Sequence, residues 1–558
     1  MTNTRVLIIG GTGVFGKRLA AHLADVDGIN LIVSSRSQAK AEQLATYLNQ
    51  NTEKSHVRGI ALDHAKNLAA QLNNLQPFAV IDCSGPFQTA NYDSARAILG
   101  SGAHLIDLAD ARDYLAGFAI NLGHLAVKNG VSAMTGASST PTLSTCVTNH
   151  IAAHWKRVDS IDICITPGGK SEVGQSVIAA ILSYAGKSIP IWRDGKRDNA
   201  IGWTTSQSVV IPKLGKRRVA LVETYDAEYL GNQFKVKSRI SFSAGLESRI
   251  EQFGVETLAQ LRKRKLIGDL SPLIPLLLRA RKVTRLATSD CGGMMVKISG
   301  LDAQGVFCIA TWSLVASNDH GPNIPILPAA AALQNLRDGI VPKGAMLSHQ
   351  QVALPQILAQ MAPYEIDTET NYAKIDDSIF ETYLSPKTYQ TLPRAVQDFH
   401  AQTAAPVWTG RADIETGNHL IAKVAMRLFG FPAAGSNVPV KVRVDRFLNY
   451  HGHPRERWTR IFSDSIMSSV LSHQKDGEFT ETFGPFTFVL GITATPKGIE
   501  MPVKKWRLGR IPLPLALAPQ SQARENQDEH GRFRFDVRLS LPLVGLMVHY
   551  KGWLAPQT

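Results

Sequence analysis

Four glycines within seven residues, set between an apolar run and a helical pattern, constrain this chain more than any other stretch of it. Residues 5–9 are β-branched and Leu-rich, as in a central parallel strand buried on both faces. They are followed by Gly10, Gly11, Thr12, Gly13, Val14, Phe15 and Gly16, and then by a helical pattern over residues 17–24. In the spacing Gly11-x-Gly13-x-x-Gly16 the first glycine permits a tight turn, the second lets the backbone approach a pyrophosphate, and the third allows close packing of strand and helix. The helix start adds unpaired N–H groups and the positive end of its dipole. A bare turn would leave the order of strand, glycines and helix unexplained. The spacing predicts a dinucleotide site in which Gly11, Thr12, Gly13, Val14, Phe15 and Gly16 close around the diphosphate.

A second strand over residues 29–34 ends at Ser34-Ser35-Arg36-Ser37. Sites for the unphosphorylated dinucleotide usually place a carboxylate there for the ribose 2′-hydroxyl, whereas a 2′-phosphate is repelled by a carboxylate and held by arginine and hydroxyls. Ser35 and Arg36 therefore predict NADP, with NADPH as its reduced form; the competing reading is a solvated loop arginine. A third strand over 59–62 ends in Asp63, expected at the adenine edge, and a fourth over 78–83 opens onto Ser84, Gly85, Pro86 and Phe87. Ligands bind beyond the carboxyl ends of such strands, which puts Ser84, Gly85 and Pro86 at the ribose and nicotinamide. Runs at 103–107 and 131–134 lead into Leu108-Ala109-Asp110 and Gly136-Ala137-Ser138-Ser139-Thr140-Pro141. Helical patterns between the runs predict a doubly wound parallel sheet of Rossmann type.

At 558 residues the chain exceeds one core, and its 44% hydrophobic and 19% charged content argues against disorder and against a polytopic membrane protein. A formal net charge of +14 favours polyanionic partners, and from residue 385 onward 22 Lys and Arg stand against 14 Asp and Glu. No zinc-finger spacing, basic zipper or aromatic RNA-reading motif accompanies the charge, so nucleic acid is not expected. The five cysteines are scattered and never form a C-x-x-C pair, which predicts neither a disulfide framework nor a metal site. The N-terminus has no tripartite leader, and a cytoplasmic location is the expectation. An apolar stretch over 270–278, broken by Pro272 and Pro275, meets Arg279, Arg281 and Lys282. It is too short to span a bilayer, which takes roughly 20 residues. It reads as a core or interface segment, with a peripheral membrane contact as the alternative.

Taken as an ordered set, the Gly-Gly-Thr-Gly-Val-Phe-Gly turn, Ser35-Arg36, Ser84-Gly85-Pro86-Phe87, His104-Leu-Ile-Asp107-Leu-Ala-Asp110 and Gly136-Ala-Ser-Ser-Thr-Pro141 resemble the saccharopine dehydrogenase-like oxidoreductases over residues 1–145. The resemblance implies hydride transfer, with residues 146–345 as a mixed α/β domain over the nicotinamide face that includes strands at 160–166, 235–242, 294–298 and 306–314. Residues 325–338 resemble the helix by which that family returns to its first domain. No residue set recognisable here would hold the amino and carboxyl groups of saccharopine, so the acceptor is left open among C=N, C=C and C=O bonds. Pro167-Gly168-Gly169 and Gly174-Gln175-Ser176 read equally as a second anion clasp and as a helix start needing a cap. Asp290 to Met294 reads as a structural turn. Asn318-Asp319-His320-Gly321-Pro322 offers His320 as a proton donor but reads first as a turn.

Residues 346–384 read as a linker, and residues 385–558 as a β-rich domain. One helix over 418–430 precedes strand-like runs at 440–444, 456–462, 468–473, 479–483, 487–492, 499–505, 532–539 and 546–553. Joined by turns such as Asp476-Gly477 and Pro496-Lys497-Gly498, they predict an antiparallel sheet or partial barrel. This part resembles the domain-of-unknown-function family 4166 through Glu415-x-Gly417, Trp458-Thr-Arg460, Gly484-Pro485, Gly509-Arg-Ile-Pro-Leu-Pro514, Phe535-Asp-Val537 and Tyr550-Lys-Gly-Trp-Leu554. Trp458, Trp506 and Trp553 with Arg460, Arg507 and Arg510 read first as packed aromatics with solvated arginines, and second as the lining of a pocket for an amphipathic anion.

The expected activity is that of an NADPH-dependent oxidoreductase acting on a small molecule, with an apolar or lipid-like substrate among the options and a homodimer left open. Ser84, Asp110, Ser138 and Ser139 are the expected catalytic groups, because they follow strand ends on the cofactor side and one of them must reach the acceptor. The rival reading is a dinucleotide-binding module without turnover whose C-terminal part binds a lipid or a partner, since no Lys, Tyr or His acid stands at a strand end.

Overall fold

The apolar run after residue 3 forms β1 (Thr4–Ile9), whose last four residues are buried. The computed structural model describes residues 4–557 apart from 53, 64, 65, 67, 173, 376, 377, 402–404, 450–452 and 474–477; the expected Asp476-Gly477 turn lies outside the described residues. Strand and helix then alternate through α1 (Val14–Ala24), β2 (Ile29–Ser35), α2 (Gln38–Asn51), β3 (His56–Ala61), α3 (Leu68–Leu75), β4 (Ala79–Asp82), α4 (Asp93–Gly100), β5 (His104–Asp107), α5 (Arg112–Lys128) and β6 (Ser132–Thr135). Among the described residues these strands form a seven-stranded sheet in the order Gly344–Leu347, β6, β5, β4, β1, β2, β3. Every pairing in it is parallel. All residues of β4, β5 and β6 are buried, so their apolar residues do not alternate with exposed ones; the polar residues stand at the strand ends. The strand order reverses between β1 and β4, the point where such sheets open a crevice at their carboxyl edge.

The chain divides into two compact units, Met1–His154 with Ile161–Ile298 and Ala310–Asn371, and Trp155–Ser160 with Ser299–Ile309 and Tyr372–Thr558. These units do not follow the expected boundaries at 145, 345 and 384. The segment expected to be a linker is folded: Gly344–Leu347 pairs with β6, a helix spans Leu354–Gln360, and the strand Ile366–Ile375 extends the second sheet. Its Pro355, which lowers a helical reading, sits in the first turn, where the missing N–H costs nothing.

The second sheet is mixed and runs Ser206–Ile211, Gly215–Leu221, Arg239–Ala244, Arg157–Thr166, Gly292–Leu301, Phe307–Ala316, Ile366–Ile375. Two of its four expected strands lie inside observed ones, and a third, expected over 306–314, is observed as Phe307–Ala316. The fourth, expected from 235, starts at Arg239, because Lys235 adopts φ +49 as the left-handed end of the helix Asp226–Phe234. The expected return helix is Leu327–Arg337.

Residues 407–556 form a thirteen-stranded antiparallel sheet among the described residues, over a core that includes Phe399, Trp408, Trp458, Phe479 and Phe533. The helix before its second strand is Leu420–Phe429, stopped by Gly430 at φ +72. The expected strand over 499–505 is two, Gly498–Glu500 and Val503–Leu508, divided at Pro502, which has no N–H to donate. Two long strands have no counterpart among the expected runs. In Val407–Thr416 the buried Trp408, Ala412 and Ile414 do alternate with exposed Arg411, Asp413 and Glu415, but Gly410 interrupts the apolar face, because a Cβ there would collide with the Trp553 carbonyl of the adjacent strand. Gln520–Gln527 is almost wholly polar and buries Glu525.

Candidate functional site

The turn after β1 is shaped by three close contacts, tightest at Gly16. Gly10 has φ +71, and a Cβ on it would come within 3.1 Å of the Cys83 carbonyl and of Ser84 Cα, so the turn lies directly against the end of β4. The left-handed turn residue is thus Gly10, one position before the motif glycine expected to take that role. A Cβ on Gly11 would sit 3.1 Å from the Ser34 amide nitrogen of β2, and one on Gly16 would press into the backbone of Gly10 and Gly11. α1 then starts at Val14 from an extended Gly13, with no acidic residue in its first turn to compete for an anion.

The end of β2 joins this turn from the side. Thr12 Oγ1 donates to Ser35 Oγ at 3.0 Å, and Ser35 Oγ also accepts from the Ser37 amide at 3.3 Å. Arg36 is exposed at the same strand end. The Leu62 amide bonds the Ser35 carbonyl, which draws the half-buried Asp63 to this corner. Thr12, Ser35, Arg36 and Asp63 are therefore gathered by the ends of β1, β2 and β3.

On the other side of the crevice, two strand-end aspartates stitch the loops together. Asp82 Oδ1 accepts from the Ser84 amide at 2.9 Å, ahead of a cis Gly85–Pro86 bond. Asp107 Oδ1 accepts from Thr135 Oγ1 at 2.7 Å and from the amides of Ala109 and Gly136 at 3.0 Å each. Its buried Oδ2 makes no such bond among the described residues, and the Tyr114 hydroxyl interacts with the same carboxyl. Burial outweighs those three donors, and with Asp82 nearby pushes the Asp107 carboxyl up from 3.8 to about 7. Gly136, at φ +72, turns the chain into the half-buried Ser138 and Ser139. Asp107 stood in the sequence motif but was not singled out; the available signal was a carboxylate closing an otherwise buried strand.

Asp110 is exposed, its carboxyl is raised by desolvation from the surrounding chain, and Gln88 Nε2 donates to it at 3.1 Å. The fields of Asp110 and Glu223 reach each other, and both add to the burial that raises the Tyr184 hydroxyl; the Glu223 carboxyl is raised as well, chiefly by burial. Glu223 and Tyr184 come from the second sheet's region, where no motif marked them. Of the four expected catalytic residues, Ser84 thus lies beyond β4 against the glycine turn, Asp110 interacts electrostatically with Glu223 and Tyr184, and Ser138 and Ser139 lie in the loop tied to Asp107.

The Asp107 shift makes a stability prediction. The folded state holds this proton up to about pH 7, while the unfolded chain releases it near 3.8. Between those values the native state carries the extra proton, so the Asp107 contribution to stability falls as pH rises and levels off above about pH 7. Urea unfolding from pH 4 to 8 should show a decline that Asp107→Asn flattens; an unchanged profile in the variant would contradict the assignment.

Other expected sites are occupied by the chain itself. The Gly169 amide donates to Glu247 Oε2 at 2.7 Å, as does the Ser289 amide at 3.0 Å, so the expected clasp at 167–169 already holds a carboxylate. His320 Nδ1 accepts from the Glu365 amide, its ring lies against Tyr364, and Asp319 pairs with Arg18 of α1, which makes this segment a turn that fastens a helix. The apolar stretch from 270 buries Leu270 and Ile274 in a core with Trp203, leaving Leu276 59% exposed on the helix Ile274–Thr284. Among the described residues no helix is long and apolar enough to cross a membrane.

The second unit contains a cavity of about 290 Å³ inside the antiparallel sheet. Trp458, Arg460 and Trp506 line it, whereas Trp553, Arg507 and Arg510 do not; Trp553 instead carries the Arg532 guanidinium over its ring at 4.2 Å. Arg460 donates to Glu481 at 3.1 Å and to Ser469 at 2.9 Å, with its guanidinium 5.0 Å from the Trp458 ring centroid. Below them lies a buried network in which Arg446 pairs with Glu456 at 3.3 Å, Trp458 Nε1 donates to Glu456 at 3.0 Å, and His400 Nε2 bonds Glu525 at 2.6 Å.

A family model described as KR domain matches residues 4–100, and the model of a domain of unknown function, DUF4166, matches residues 392–554. Among solved structures the chain is similar to apo saccharopine dehydrogenase (L-Glu forming) from Saccharomyces cerevisiae, at 15% identity over 66% of this chain and 100% of that one, with a TM-score of 0.45. It is also similar to the C. glutamicum DAP dehydrogenase in complex with DAP, at 14% identity over 65% and 99% with a TM-score of 0.35. A third is the amine dehydrogenase from Mycobacterium smegmatis, at 13% identity over 63% and 96% with a TM-score of 0.34. Both resemblances read from the sequence, to saccharopine dehydrogenase-like proteins and to domain family 4166, have their counterparts in these matches. No curated protein matches the chain by sequence.

Proposed function

We propose that the chain is an NADPH-dependent oxidoreductase that delivers hydride to a C=N, C=C or C=O acceptor. The observation that carries this reading is the glycine turn packed against the end of β4 at the sheet's reversal point, with Ser35 and Arg36 beside it. Gly10, Gly11 and Gly16 pack the turn closely against the ends of β4 and β2 and against its own backbone, the tight strand–turn–helix geometry that a diphosphate-binding turn requires. Arg36 supplies the charge and Thr12 and Ser35 the hydroxyls for a 2′-phosphate.

The bound cofactor would supply the hydride. The chain's own part is to align the acceptor and to provide the proton that balances the hydride once the double bond is reduced. Asp110 is the group we assign to that proton: it is exposed just beyond the carboxyl end of β5, and desolvation favours its protonated form. Ser84, Ser138 and Ser139 serve as hydrogen-bond donors to the acceptor, and Asp107 acts as a positioning residue through the loops it holds.

Loss of reduced-nicotinamide absorbance, followed with a panel of imines, enones and carbonyl compounds, tests the activity. Turnover of one class is expected, with Asp110→Asn lowering kcat by roughly 10²- to 10⁴-fold. Tight NADPH binding with no turnover across the panel would instead favour the binding-module reading. Arg36→Ala should weaken NADPH by roughly 10- to 100-fold and leave NADH unaffected, since a hydrogen bond to a charged group contributes about 1.5–3 kcal/mol. Equal losses for both dinucleotides would remove Arg36 from the 2′-phosphate.

A further inference from the structure

The cavity of the second unit is independent of the dinucleotide reading and has the marks of a ligand site. Its volume of about 290 Å³ stands near the lower end of ligand pockets, roughly 300 Å³ upward. Protein cores close gaps of this kind when side chains can relax into them, because an empty void forfeits contacts on every wall. Here the walls are rigid aromatics braced against each other rather than across the space: Phe429 against Phe486 at 5.5 Å, and Phe488 stacked on Trp506 at 6.1 Å.

The polar groups inside define what an occupant can carry. The charged residues lining the cavity are Arg460, Glu481 and Glu525. They are few and fixed: Arg460 is bound to Glu481 and Ser469, Ser469 donates to Glu481 at 2.7 Å, and Glu525 is bound to His400. An anionic headgroup would meet one cation already matched by a carboxylate, with a second carboxylate deeper in. A cationic headgroup would have to displace Arg460. A hydroxyl accepts from a guanidinium N–H and donates to a carboxylate oxygen, so it suits the Arg460–Glu481 pair as that pair stands. This departs from the amphipathic anion that the tryptophans and arginines suggested in the sequence.

Ala425, Pro519, Leu541 and Met547 belong to the apolar lining of the cavity. Pairing of Gln520 with Ser540 and of Leu541 with Gly545, and the Gly417 amide bonded to the Met547 carbonyl, bring three segments to its border. Those segments expose Leu420, Ile421, Val424, Leu515, Leu517 and Leu543. Large exposed apolar side chains on segments that also line the cavity give an apolar molecule an apolar surface to approach over.

We propose that this cavity binds one neutral amphipathic molecule, an aliphatic or isoprenoid alcohol, with its apolar body among the aromatic walls and its hydroxyl between Arg460 and Glu481. The test is equilibrium titration of the full chain, by tryptophan emission, with 1-dodecanol, dodecanoate and dodecyltrimethylammonium. Saturable binding of 1-dodecanol at least tenfold tighter than the two charged probes is expected. Ala523→Phe, on the cavity wall, should weaken 1-dodecanol at least tenfold with an unchanged circular dichroism spectrum; Ser521→Phe serves if the first variant does not fold. Glu481→Gln frees the Arg460 charge and should shift the preference at least tenfold toward dodecanoate. Equal binding of the three probes, no saturable binding of 1-dodecanol, or binding unmoved by both filling variants would overturn the proposal.

Discussion

Gly16→Ala should reduce NADPH affinity by roughly 100-fold while the chain still folds. A Cβ at this position lies 2.8 Å from Gly11 Cα and 2.9 Å from the Gly10 carbonyl carbon, and closer still to the Gly10 oxygen. These are backbone atoms of the turn itself, so no side-chain rotation relieves the contact, and α1 must move away from β1. The amides of the helix start then no longer converge on the diphosphate. Misplacement by about 1 Å costs on the order of 100-fold where an interaction depends on alignment. Gly123→Ala is the matched control, because a Cβ there meets nothing within 4 Å and a mid-helix glycine is slightly destabilising to begin with. Calorimetric titration of both variants reads the difference, and retention of wild-type affinity by Gly16→Ala would remove the turn from the binding site.

The second large effect is on stability of the C-terminal unit. Glu456→Ala should cost about 3–5 kcal/mol, because Arg446 and Glu456 are paired with side chains only 5% and 2% exposed, and the substitution leaves a buried guanidinium without its carboxylate. Trp458 Nε1 loses its acceptor in the same step. For a unit of this size the loss corresponds to a fall of roughly 6 to 20 °C in its thermal transition. Differential scanning calorimetry should show the transition of the unit containing residues 372–558 move down while that of the unit with the glycine turn stays in place. A shift below about 2 °C would mean that the pair contributes little.

The parallel sheet was legible because strands buried on both faces leave continuous apolar runs, and because Gly16 has a packing role that a spacing rule captures. Gly10 was not, since its left-handed backbone follows from the approach of β4, a strand some seventy residues away in the chain. Asp107 was hidden by its own strand: a carboxylate at the end of an apolar run looks like the start of a loop until Thr135 and Gly136 are seen to converge on it. Tyr184 and Glu223 reach Asp110 through tertiary proximity alone, with no motif of their own. In the antiparallel sheet, hairpins with alternating residues were readable. Gln520–Gln527 was not, because one buried charge in a polar strand gives no period to detect. The Arg460–Glu481 pair shows the same limit, since residues 21 positions apart meet only when intervening strands pair.

Hydrogen exchange of the full chain with and without NADPH, read by peptide mass, tests the central claim most directly. Slowed exchange at residues 10–17, 34–37 and 84–87 is the predicted result, with the strands between 407 and 556 unchanged. Exchange unaltered across residues 10–17 at saturating NADPH would contradict the account.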